Sequence, residues 1–523
     1  MKLITVTGGV LSGLGKGVAA ASIGHLLADD YRVTAIKLDG YLNADPGTMN
    51  PVEHGEVFVL DDGSEVDMDF GHYERFLNTP CTADCSITMG KVFRAIQEKE
   101  RRGDYLGKTV QFIPHVTDHI KERILAAGED SEVVLVEIGG TIGDIEAELF
   151  VEALRQLADD LGEENSMFVH LTYVPKPGWI GEHKTKPTQQ STQLLLQRGI
   201  IPDVIIARSE EPVEESVKLK IARFCNCDTV IGGHDVPDVY QIPQNFFEQG
   251  LLSYVNDRLG LDASYSNRWD ELLASSASAS RSVRIGVAGK YTALEDSYAS
   301  IAEALKHCAA HTNSSVELVW LETTDLSEQG VAEALAGVDG VIVPGGFGSR
   351  GIEGKVAVIA YCREHDVPFL GICYGMQLAV VEFARSVCGL AGANTTEVDP
   401  DSPHPVVDIL PEQRAVTHKG GTMRLGAYTA ELSDGVVRDL YGSSSVSERH
   451  RHRYEVNPEY HEQLTSHGLK ISGVYGRLAE FIELPGHPYF VGTQAHPELK
   501  SCLDEPAPLF LGLVRAALAR RSQ

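Results

Sequence analysis

Gly371-Ile372-Cys373-Tyr374-Gly375 joins an apolar run to a segment of helical character, and it sets the architecture of the second half of the chain. Val367 to Ile372 predicts a strand, and Met376 to Arg385 predicts a helix. A cysteine between two glycines at such a junction is typical of a nucleophile elbow, because glycine permits the sharp turn that exposes the side chain. We therefore expect a strand, a reactive thiol and a helix in that order.

The thiol of Cys373 needs a base, and the base needs a partner that orients it. His496-Pro497-Glu498 supplies both, in the order Cys, His, Glu. Pro344-Gly345-Gly346-Phe347-Gly348 follows the apolar strand Gly340 to Val343, and its backbone N–H groups are expected to line an oxyanion hole. The alternative for Cys373 is a small buried residue at a strand end. The three features together favour acyl transfer through a thioester.

A glycine-rich loop, Thr7-Gly8-Gly9-Val10-Leu11-Ser12-Gly13-Leu14-Gly15-Lys16-Gly17, lies between the opening strand and a helix that starts near Val18. Glycines let backbone N–H groups approach a phosphate, the helix N-terminus favours an anion, and Lys16 adds charge. The loop departs from the standard P-loop, since Val10 and Gly17 stand where glycine and Ser/Thr are required. The alternative is a structural turn, but the order of strand, loop, lysine and helix favours phosphate binding.

Acidic residues near this loop predict a magnesium site. Asp67 and Asp69 follow a short apolar run, and Glu137 ends the apolar strand that begins at Val133. Carboxylates at the carboxyl ends of sheet strands, opposite a phosphate loop, are suited to Mg²⁺ that bridges phosphates. Each acid alone is typical of a solvated loop, but together with the loop they predict a nucleotide site.

A second cationic loop is Glu182-His183-Lys184-Thr185-Lys186-Pro187-Thr188-Gln189. Two lysines around a threonine, closed by proline, predict a site for a second polyphosphate in an otherwise acidic chain. The alternative is an exposed polar loop.

Composition limits the classes of function. The 523 residues are 43% hydrophobic and carry a net charge of −29, which argues against nucleic-acid binding because a phosphate polymer would be repelled. No apolar run reaches the ~18 residues of a membrane span, and the chain enters a strand directly after Met1, so we expect no membrane segment and a cytoplasmic protein. The nine scattered cysteines fit reducing conditions. The acidic surface is either an ordinary solvated one or an adaptation to high salt.

Short β-rich runs alternate with helical segments on both sides of a small polar stretch, Asn267 to Ser282. This predicts an α/β fold with two doubly wound domains, residues 1–266 and 283–523, mainly parallel sheets, and a linker at 267–282. The predicted strands are Leu3 to Thr7, Val33 to Leu38, Val133 to Ile138, Met167 to Val174, Val204 to Ala207, Val283 to Val287, Val316 to Trp320, Gly340 to Val343 and Val367 to Ile372.

Long stretches of the chain resemble the CTP synthases, in order and over nearly the whole length outside the linker. The elbow and its His-x-Glu resemble class I glutamine amidotransferases. The other matching stretches are Asp45 to Met49, His54 to Val59, Gly71 to Phe76, Gly103 to Gln111, Lys184 to Gln189, Gly345 to Lys355 and Arg449 to Glu455.

The resemblance implies an N-terminal P-loop-like synthetase domain and a C-terminal class I glutamine amidotransferase domain. It implies that ATP phosphorylates UTP at O4, that ammonia from glutamine displaces the phosphate to give CTP, and that an internal tunnel carries the ammonia. Mg²⁺, activation by GTP, feedback inhibition by CTP and a homotetramer come with the family, whereas filament formation stays open.

The resemblance also implies particular contacts. The catalytic residues are Cys373, His496 and Glu498. The ATP contacts are Gly13, Leu14, Gly15, Lys16, Gly17, Val18, Lys37, Asp69, Asp235 and Val236, and the metal ligands are Asp69 and Glu137. The UTP or CTP contacts are Ser12, Asp144, Ile145, Glu146, Lys184, Thr185, Lys186, Pro187, Thr188, Gln189 and Lys220. The glutamine contacts are Gly346, Tyr374, Gly375, Met376, Gln377, Glu397 and Arg453.

Three positions depart from the family pattern. Gly13 replaces a serine, Gly40 replaces a proline, and Ala495 replaces an aromatic residue beside His496. Two other interpretations remain: an ATP-dependent amidotransferase with another acceptor, such as a cofactor diamide synthase, and a nucleotide-sensing scaffold with a dead active site. The loop at Lys184 argues against the first, and the intact Cys373, His496 and Glu498 argue against the second.

Overall fold

The computed structural model describes residues 1–50, 54–178, 181–290, 295–324, 326, 328–410, 413 and 420–522. The chain forms two compact units. We call Met1–Asp45 with His72–Arg268 the N-terminal unit, and Pro46–Gly71 with Trp269–Gln523 the C-terminal unit. The domain limits predicted from the sequence stay a prediction. The segment predicted as a linker contains a helix, Asp270–Ala277.

The strands in chain order are β1 (Lys2–Gly9), β2 (Val33–Asp39), β3 (Phe58–Val59), β4 (Glu65–Val66), β5 (Ser86–Thr88), β6 (Val133–Ile138), β7 (Ser166–Tyr173), β8 (Val204–Ser209), β9 (Thr229–His234), β10 (Arg281–Gly289), β11 (Ser314–Glu322), β12 (Gly340–Val343), β13 (Phe369–Ile372), β14 (Ala393–Thr395), β15 (His404–Ile409), β16 (Arg424–Leu432), β17 (Ser445–His452), β18 (Tyr454–Val456), β19 (Lys470–Tyr475), β20 (Leu478–Glu483) and β21 (Phe490–Thr493). The nine predicted strands are confirmed, and β6 and β12 have the predicted bounds.

The α-helices are α1 (Lys16–Leu27), α2 (Asp69–Leu77), α3 (Met89–Arg102), α4 (Thr117–Ala127), α5 (Glu148–Leu161), α6 (Lys186–Gln197), α7 (Glu215–Cys225), α8 (Ile242–Glu248), α9 (Leu251–Leu259), α10 (Asp270–Ala277), α11 (Ala299–Thr312), α12 (Glu328–Ala334), α13 (Ile352–Glu364), α14 (Tyr374–Ser386), α15 (Val436–Tyr441), α16 (His461–Ser466) and α17 (Pro508–Arg521). The helix predicted after the elbow is α14, and the helix predicted after the glycine-rich loop is α1.

The N-terminal unit is built on a seven-stranded sheet in the order β5-β2-β6-β1-β7-β8-β9, with every neighbouring pair parallel. Its central strands are buried on both faces, as the continuous run of β-branched and aliphatic residues in β6 predicts. The carboxyl ends of β1, β2 and β6 therefore meet at one edge, which is where the glycine-rich loop, Lys37 and Glu137 lie.

The C-terminal unit contains a nine-stranded sheet in the order β11-β10-β12-β13-β21-β20-β19-β16-β17. The five strands from β11 to β21 are parallel, and the remaining pairs are antiparallel. The prediction of a mainly parallel α/β fold holds, but the antiparallel extension was not foreseen from the sequence. It carries Arg451, within the motif Arg449 to Glu455, into the neighbourhood of the thiol.

Among the described residues, no helix is long and apolar enough to cross a membrane.

Candidate active sites

Cys373 occupies the elbow between β13 and α14. Its backbone has φ 52° and ψ −100°, a conformation in which residues with a side chain are strained. A Cβ atom at Gly375 would lie 1.9 Å from the carbonyl oxygen of Val343, and one at Gly371 would lie 2.8 Å from backbone of the same turn. Glycine is therefore required on both sides of Cys373, as the sequence predicted.

His496 and Glu498 follow β21, which pairs with the strand that delivers the thiol. His496 Nδ1 lies 2.7 Å from Glu498 Oε1, which leaves Nε2 for the sulfur. Burial opposes protonation of His496, but the Glu498 carboxylate and the Cys373 sulfur raise its pKa to about 10. The structure thus brings the three predicted catalytic side chains together, in surroundings that favour transfer of the thiol proton to the imidazole.

The sulfur of Cys373 has two further neighbours that sequence reasoning missed. Gln494 Nε2 lies 3.6 Å from Sγ, and the backbone oxygen of Arg451 lies 3.8 Å from it. A lone glutamine in a strand end carries no sequence signature, so only the fold reveals it.

The turn Pro344 to Gly348 lies against the triad. A Cβ atom at Gly345 would lie 2.9 Å from His496 Cε1 and 3.7 Å from Cys373 Cβ, so that glycine allows the turn to approach both groups. Gly348 links two predicted glutamine contacts, since its N–H donates to Glu397 Oε1 at 2.6 Å and its carbonyl accepts from the Tyr374 hydroxyl at 3.1 Å. Burial raises the pKa of Glu397.

The other predicted glutamine contacts differ in position: some belong to the turn and the helix at the thiol, and others bond to neighbouring protein groups. Gly346 belongs to the same turn, and Met376 is fully buried in α14. Gln377 donates from Nε2 to Tyr454 O at 2.8 Å and to Gln494 Oε1 at 3.2 Å. Arg453 donates to Gln413 Oε1 at 2.6 Å and to Thr422 Oγ1 at 3.0 Å.

A buried charged cluster adjoins this site on β16, β17, β18 and β20. Arg424 lies 2.8 Å from Glu455 Oε1 and 2.7 Å from Glu480 Oε1. Burial, with the charges of Arg424 and His496, holds the pKa of both His450 and His452 well below its ordinary value, so these histidines are neutral. The stretch Arg449 to Glu455 was singled out in the sequence only through the family resemblance, which gave no sign of this cluster.

In the N-terminal unit, the glycine-rich loop turns into α1 at Gly15, which has φ 86°. Lys16 is buried, and its Nζ donates to Gly140 O at 2.8 Å. His170 lies under the loop, between Thr7 Oγ1 at 2.8 Å and Ser191 Oγ at 2.7 Å. Complete burial, together with the charge of Lys16, lowers the pKa of His170 to about 3, so that this ring supports the loop as a neutral group.

Lys37 and Glu137 face each other across β2 and β6, with Nζ 2.7 Å from Oε1, and both side chains are buried. The Tyr73 hydroxyl donates to the other oxygen of Glu137. Among the described residues, no group of three or more His, Cys, Asp and Glu side chains could hold a metal. One or two carboxylates suffice for Mg²⁺ that also binds phosphates, and Glu137 supplies one near the carboxyl end of β6, with its two oxygens bonded to Lys37 and Tyr73. Asp69, the other predicted ligand, begins α2.

Asp235 and Val236 line a cavity of about 210 Å³ in the N-terminal unit. Leu14, Gly15 and Val18 line the same cavity, so the structure brings the loop and the predicted adenine contacts together. Arg208, missed by sequence reasoning, connects them by donating to Leu14 O at 3.1 Å and to Asp235 Oδ1 at 2.8 Å.

The second cationic loop enters α6. Lys184 pairs with Glu182, and Lys186 starts the helix with Pro187 in its first turn. Thr188 and Gln189 point inward instead, since Thr172 Oγ1 donates to Thr188 Oγ1 at 2.9 Å and Gln189 Nε2 donates to Thr185 Oγ1 at 3.0 Å. The hydrogen bond and charge of Lys184, and to a smaller extent the charge of Lys220, lower the pKa of Glu182.

The remaining predicted UTP contacts follow β6 and β1. Asp144 accepts from Thr141 N at 2.7 Å and closes a turn, which leaves Ile145 83% exposed. Ser12 is exposed in the glycine-rich loop. A Cβ atom at Gly40 would lie 2.7 Å from Glu146 Cβ, so this departure from the family pattern lies directly against a predicted contact.

A thiol elbow with an adjoining His-x-Glu on one unit, and a phosphate loop beside a cavity on the other, are characteristic of an amidotransferase that couples glutamine hydrolysis to a nucleotide-dependent ligation.

Matches to two family descriptions and to known relatives support this class of protein. The family described as CTP synthase N-terminus matches residues 2–261, and the family described as glutamine amidotransferase class-I matches residues 293–516. The CTP synthase of Thermococcus gammatolerans is 55% identical over 99% of both chains, and that of Methanocaldococcus jannaschii is 50% identical over 100% of this chain and 99% of its own. A solved glutaminase domain of Trypanosoma brucei CTPS with bound acivicin is 36% identical and covers 45% of this chain and 93% of its own, with a TM-score of 0.43. The chain belongs to the CTP synthase family and is a ligase with a glutamine amidotransferase domain.

Proposed function

We propose that the C-terminal unit releases ammonia from glutamine through a thioester on Cys373. His496 takes the thiol proton, the sulfur attacks the side-chain amide carbon of glutamine, and the imidazole returns the proton to the departing nitrogen. Water then cleaves the thioester to glutamate and restores the thiol. Backbone N–H groups of the turn at Gly345 and Gly346 are the proposed donors to the oxyanion.

The proposed glutamine site lies around that turn. It comprises Gly346, Tyr374, Gly375, Met376, Gln377, Glu397 and Arg453. The carboxylate of Glu397 and the guanidinium of Arg453 match the charges of the α-ammonium and α-carboxylate groups of glutamine. The hydrogen bonds of Gly348 to Glu397 and Tyr374 support this assignment, because they tie the carboxylate to the elbow.

The family membership gives the enzyme UTP, ATP and glutamine as substrates, and the N-terminal unit is the proposed place where UTP is phosphorylated by ATP at O4 and aminated. Residues 13–18 would hold the ATP phosphates, with Lys16 and Lys37 reducing the negative charge that opposes phosphoryl transfer. The cavity at Asp235 and Val236 would take the adenine. Glu137 and Asp69 are the proposed ligands of Mg²⁺, which would neutralise phosphate charge when bound.

UTP, or CTP as feedback inhibitor, is proposed to contact Ser12, Asp144, Ile145, Glu146, Lys184, Thr185, Lys186, Pro187, Thr188, Gln189 and Lys220. The inward hydrogen bonds of Thr188 and Gln189 favour a role for these two in shaping the loop, while the lysines supply the charge. We further propose a homotetramer activated by GTP, in which ammonia reaches UTP without release. A cytoplasmic location fits the nine free thiols.

The observation that carries the proposal is the contact of His496 with Glu498 at 2.7 Å beside a thiol on a strained elbow. The test is CTP formation from UTP, ATP and Mg²⁺, with glutamine or ammonia as donor, with and without GTP, at low and at molar KCl. Product from both donors, with the glutamine reaction lost in Cys373→Ala, is the expected result. Glutamine use that survives this substitution would contradict the thioester, and failure with both donors at every salt concentration would exclude UTP as the acceptor.

A further inference from the structure

Gln494 is completely buried directly after β21, two residues before His496. Its backbone N–H donates to Glu480 O at 2.8 Å, and this bond ties the residue to β20. Its side chain reaches the thiol, with Nε2 3.6 Å from Cys373 Sγ. The proposed thioester steps at Cys373 and His496 do not use this amide.

The orientation of the Gln494 amide follows from its neighbours. Gln377 Nε2 lies 2.8 Å from the carbonyl oxygen of Tyr454, and a carbonyl only accepts, so the NH₂ group of Gln377 must be at that position. The same NH₂ group lies 3.2 Å from Oε1 of Gln494. A reversed Gln494 amide would set two donors against each other. Its NH₂ group therefore faces the sulfur.

A donor aimed at Sγ favours the ionised sulfur over the neutral thiol. The neutral thiol donates to Arg451 O at 3.8 Å, and this bond is lost when the proton moves to His496. The thiolate only accepts, and hydrogen bonds to a charged acceptor are roughly twice as strong as those between neutral groups. The amide of Gln494 approaches the sulfur from β21, the strand that leads to His496.

We propose that Gln494 is a further catalytic residue of the glutaminase reaction, whose side-chain N–H stabilises and aims the Cys373 thiolate. Gln377 acts through it as a positioning residue, because its NH₂ group holds the Gln494 carbonyl away from the sulfur. The inference rests on the proposed thiol chemistry of Cys373.

The test is Gln494→Glu, which keeps the shape but replaces the donor with a carboxylate oxygen. We expect glutamine-dependent kcat/KM to fall by about 100-fold, as when one oxyanion donor is removed. Ammonia-dependent CTP formation should stay within about twofold of the wild type. The pH midpoint for alkylation of Cys373 by iodoacetamide, followed on its peptide by mass spectrometry, should rise by about one unit, because the thiolate loses a charge-assisted hydrogen bond.

Gln494→Met separates loss of the donor from the added charge, and we expect the same direction of change with a smaller shift of the alkylation midpoint. Gln463→Glu on α16 is the matched control, since it makes the same chemical change on a side chain away from the thiol, and it should behave as wild type in all three measurements.

An alkylation midpoint that is unchanged in both Gln494 variants would overturn the proposal and leave Gln494 as a packing residue. If Gln494→Glu loses ammonia-dependent activity, the protein is misfolded and Gln494→Met decides alone. Failure of the proposed function is distinguishable, because it would show as glutamine use that survives Cys373→Ala.

Discussion

The thiol site and the phosphate-loop site differ in how their working groups are held. In the C-terminal unit, Cys373 and Glu498 are buried and, with His496, bonded to one another. In the N-terminal unit, many predicted contacts, such as Ser12, Ile145 and Lys186, are exposed. Lys16, Lys37 and Glu137 are among the predicted contacts of this unit that are buried.

The difference reflects the chemistry that each site is proposed to perform. A covalent reaction on a protein side chain needs reacting atoms fixed within fractions of an ångström, which only packing and hydrogen bonds between protein groups provide. Binding of polyphosphates relies on backbone N–H groups and on lysines that attract charge from solvent. The first site is assembled within the protein core, and the second displays donors to its ligands.

The largest expected effect comes from Cys373→Ala. Glutamine-dependent CTP formation should fall by at least about 10⁴-fold, because the nucleophile is removed, while ammonia-dependent formation stays within about twofold. Steady-state assays with the two nitrogen donors measure both numbers. Equal losses with both donors would show that the two sites do not divide the reaction.

Lys16→Met tests the phosphate-loop site. We expect CTP formation to fall by roughly 10²- to 10³-fold with either donor, since the lysine is proposed to balance charge during phosphoryl transfer. Alkylation of Cys373 should keep its wild-type rate. Lys121→Met, which removes an ammonium between Asp118 and Asp160, is the control and should leave both assays unchanged.

The buried pair Lys37–Glu137 tests whether the phosphate-loop site also depends on packing. Glu137→Gln leaves a buried ammonium without its counter-charge, and we expect the free energy of unfolding of the N-terminal unit to fall by about 3 kcal/mol. Asp159→Asn breaks the more exposed pair with Arg155 and should cost less than about 0.5 kcal/mol. Urea unfolding of the variants gives both values, and equal small losses would contradict the prediction.

The smallest effect depends on pH. Burial raises the pKa of Glu448, whose Oε1 accepts from the Tyr441 hydroxyl at 2.7 Å, to about 7. Because the pKa is higher in the folded protein than in the unfolded chain, this group stabilises the fold only when protonated. Its contribution is lost as pH rises from about 4.5 through about 7.

Glu448→Gln should remove that slope, so that its unfolding free energy exceeds that of the wild type at pH 8 but not at pH 4. Chemical unfolding at the two pH values measures this. Glu462→Gln on the exposed face of α16 is the control and should keep the wild-type slope. A slope that persists in Glu448→Gln would assign the pH dependence to another group.

Local patterns in the sequence were sufficient for the strands, the elbow and the phosphate loop. The apolar run from Val133 predicts β6 directly. Gly371 and Gly375 predict the turn at Cys373, because only glycine fits at those two positions. Contacts between distant segments have no such signature. The grouping of Pro46–Gly71 with the C-terminal unit, the bridge from Arg208 to Leu14 and the amide of Gln494 against the thiol all depend on packing across more than a hundred residues.

The strained backbone at Cys373 also shapes how the enzyme can change over generations. A residue with a side chain at φ 52° and ψ −100° costs roughly 1–3 kcal/mol, and glycine would relieve most of that cost. Replacement of Cys373 by glycine would thus give a more stable protein without glutaminase activity. Stability therefore favours glycine at position 373, whereas catalysis requires cysteine. Only selection for the reaction retains the cysteine.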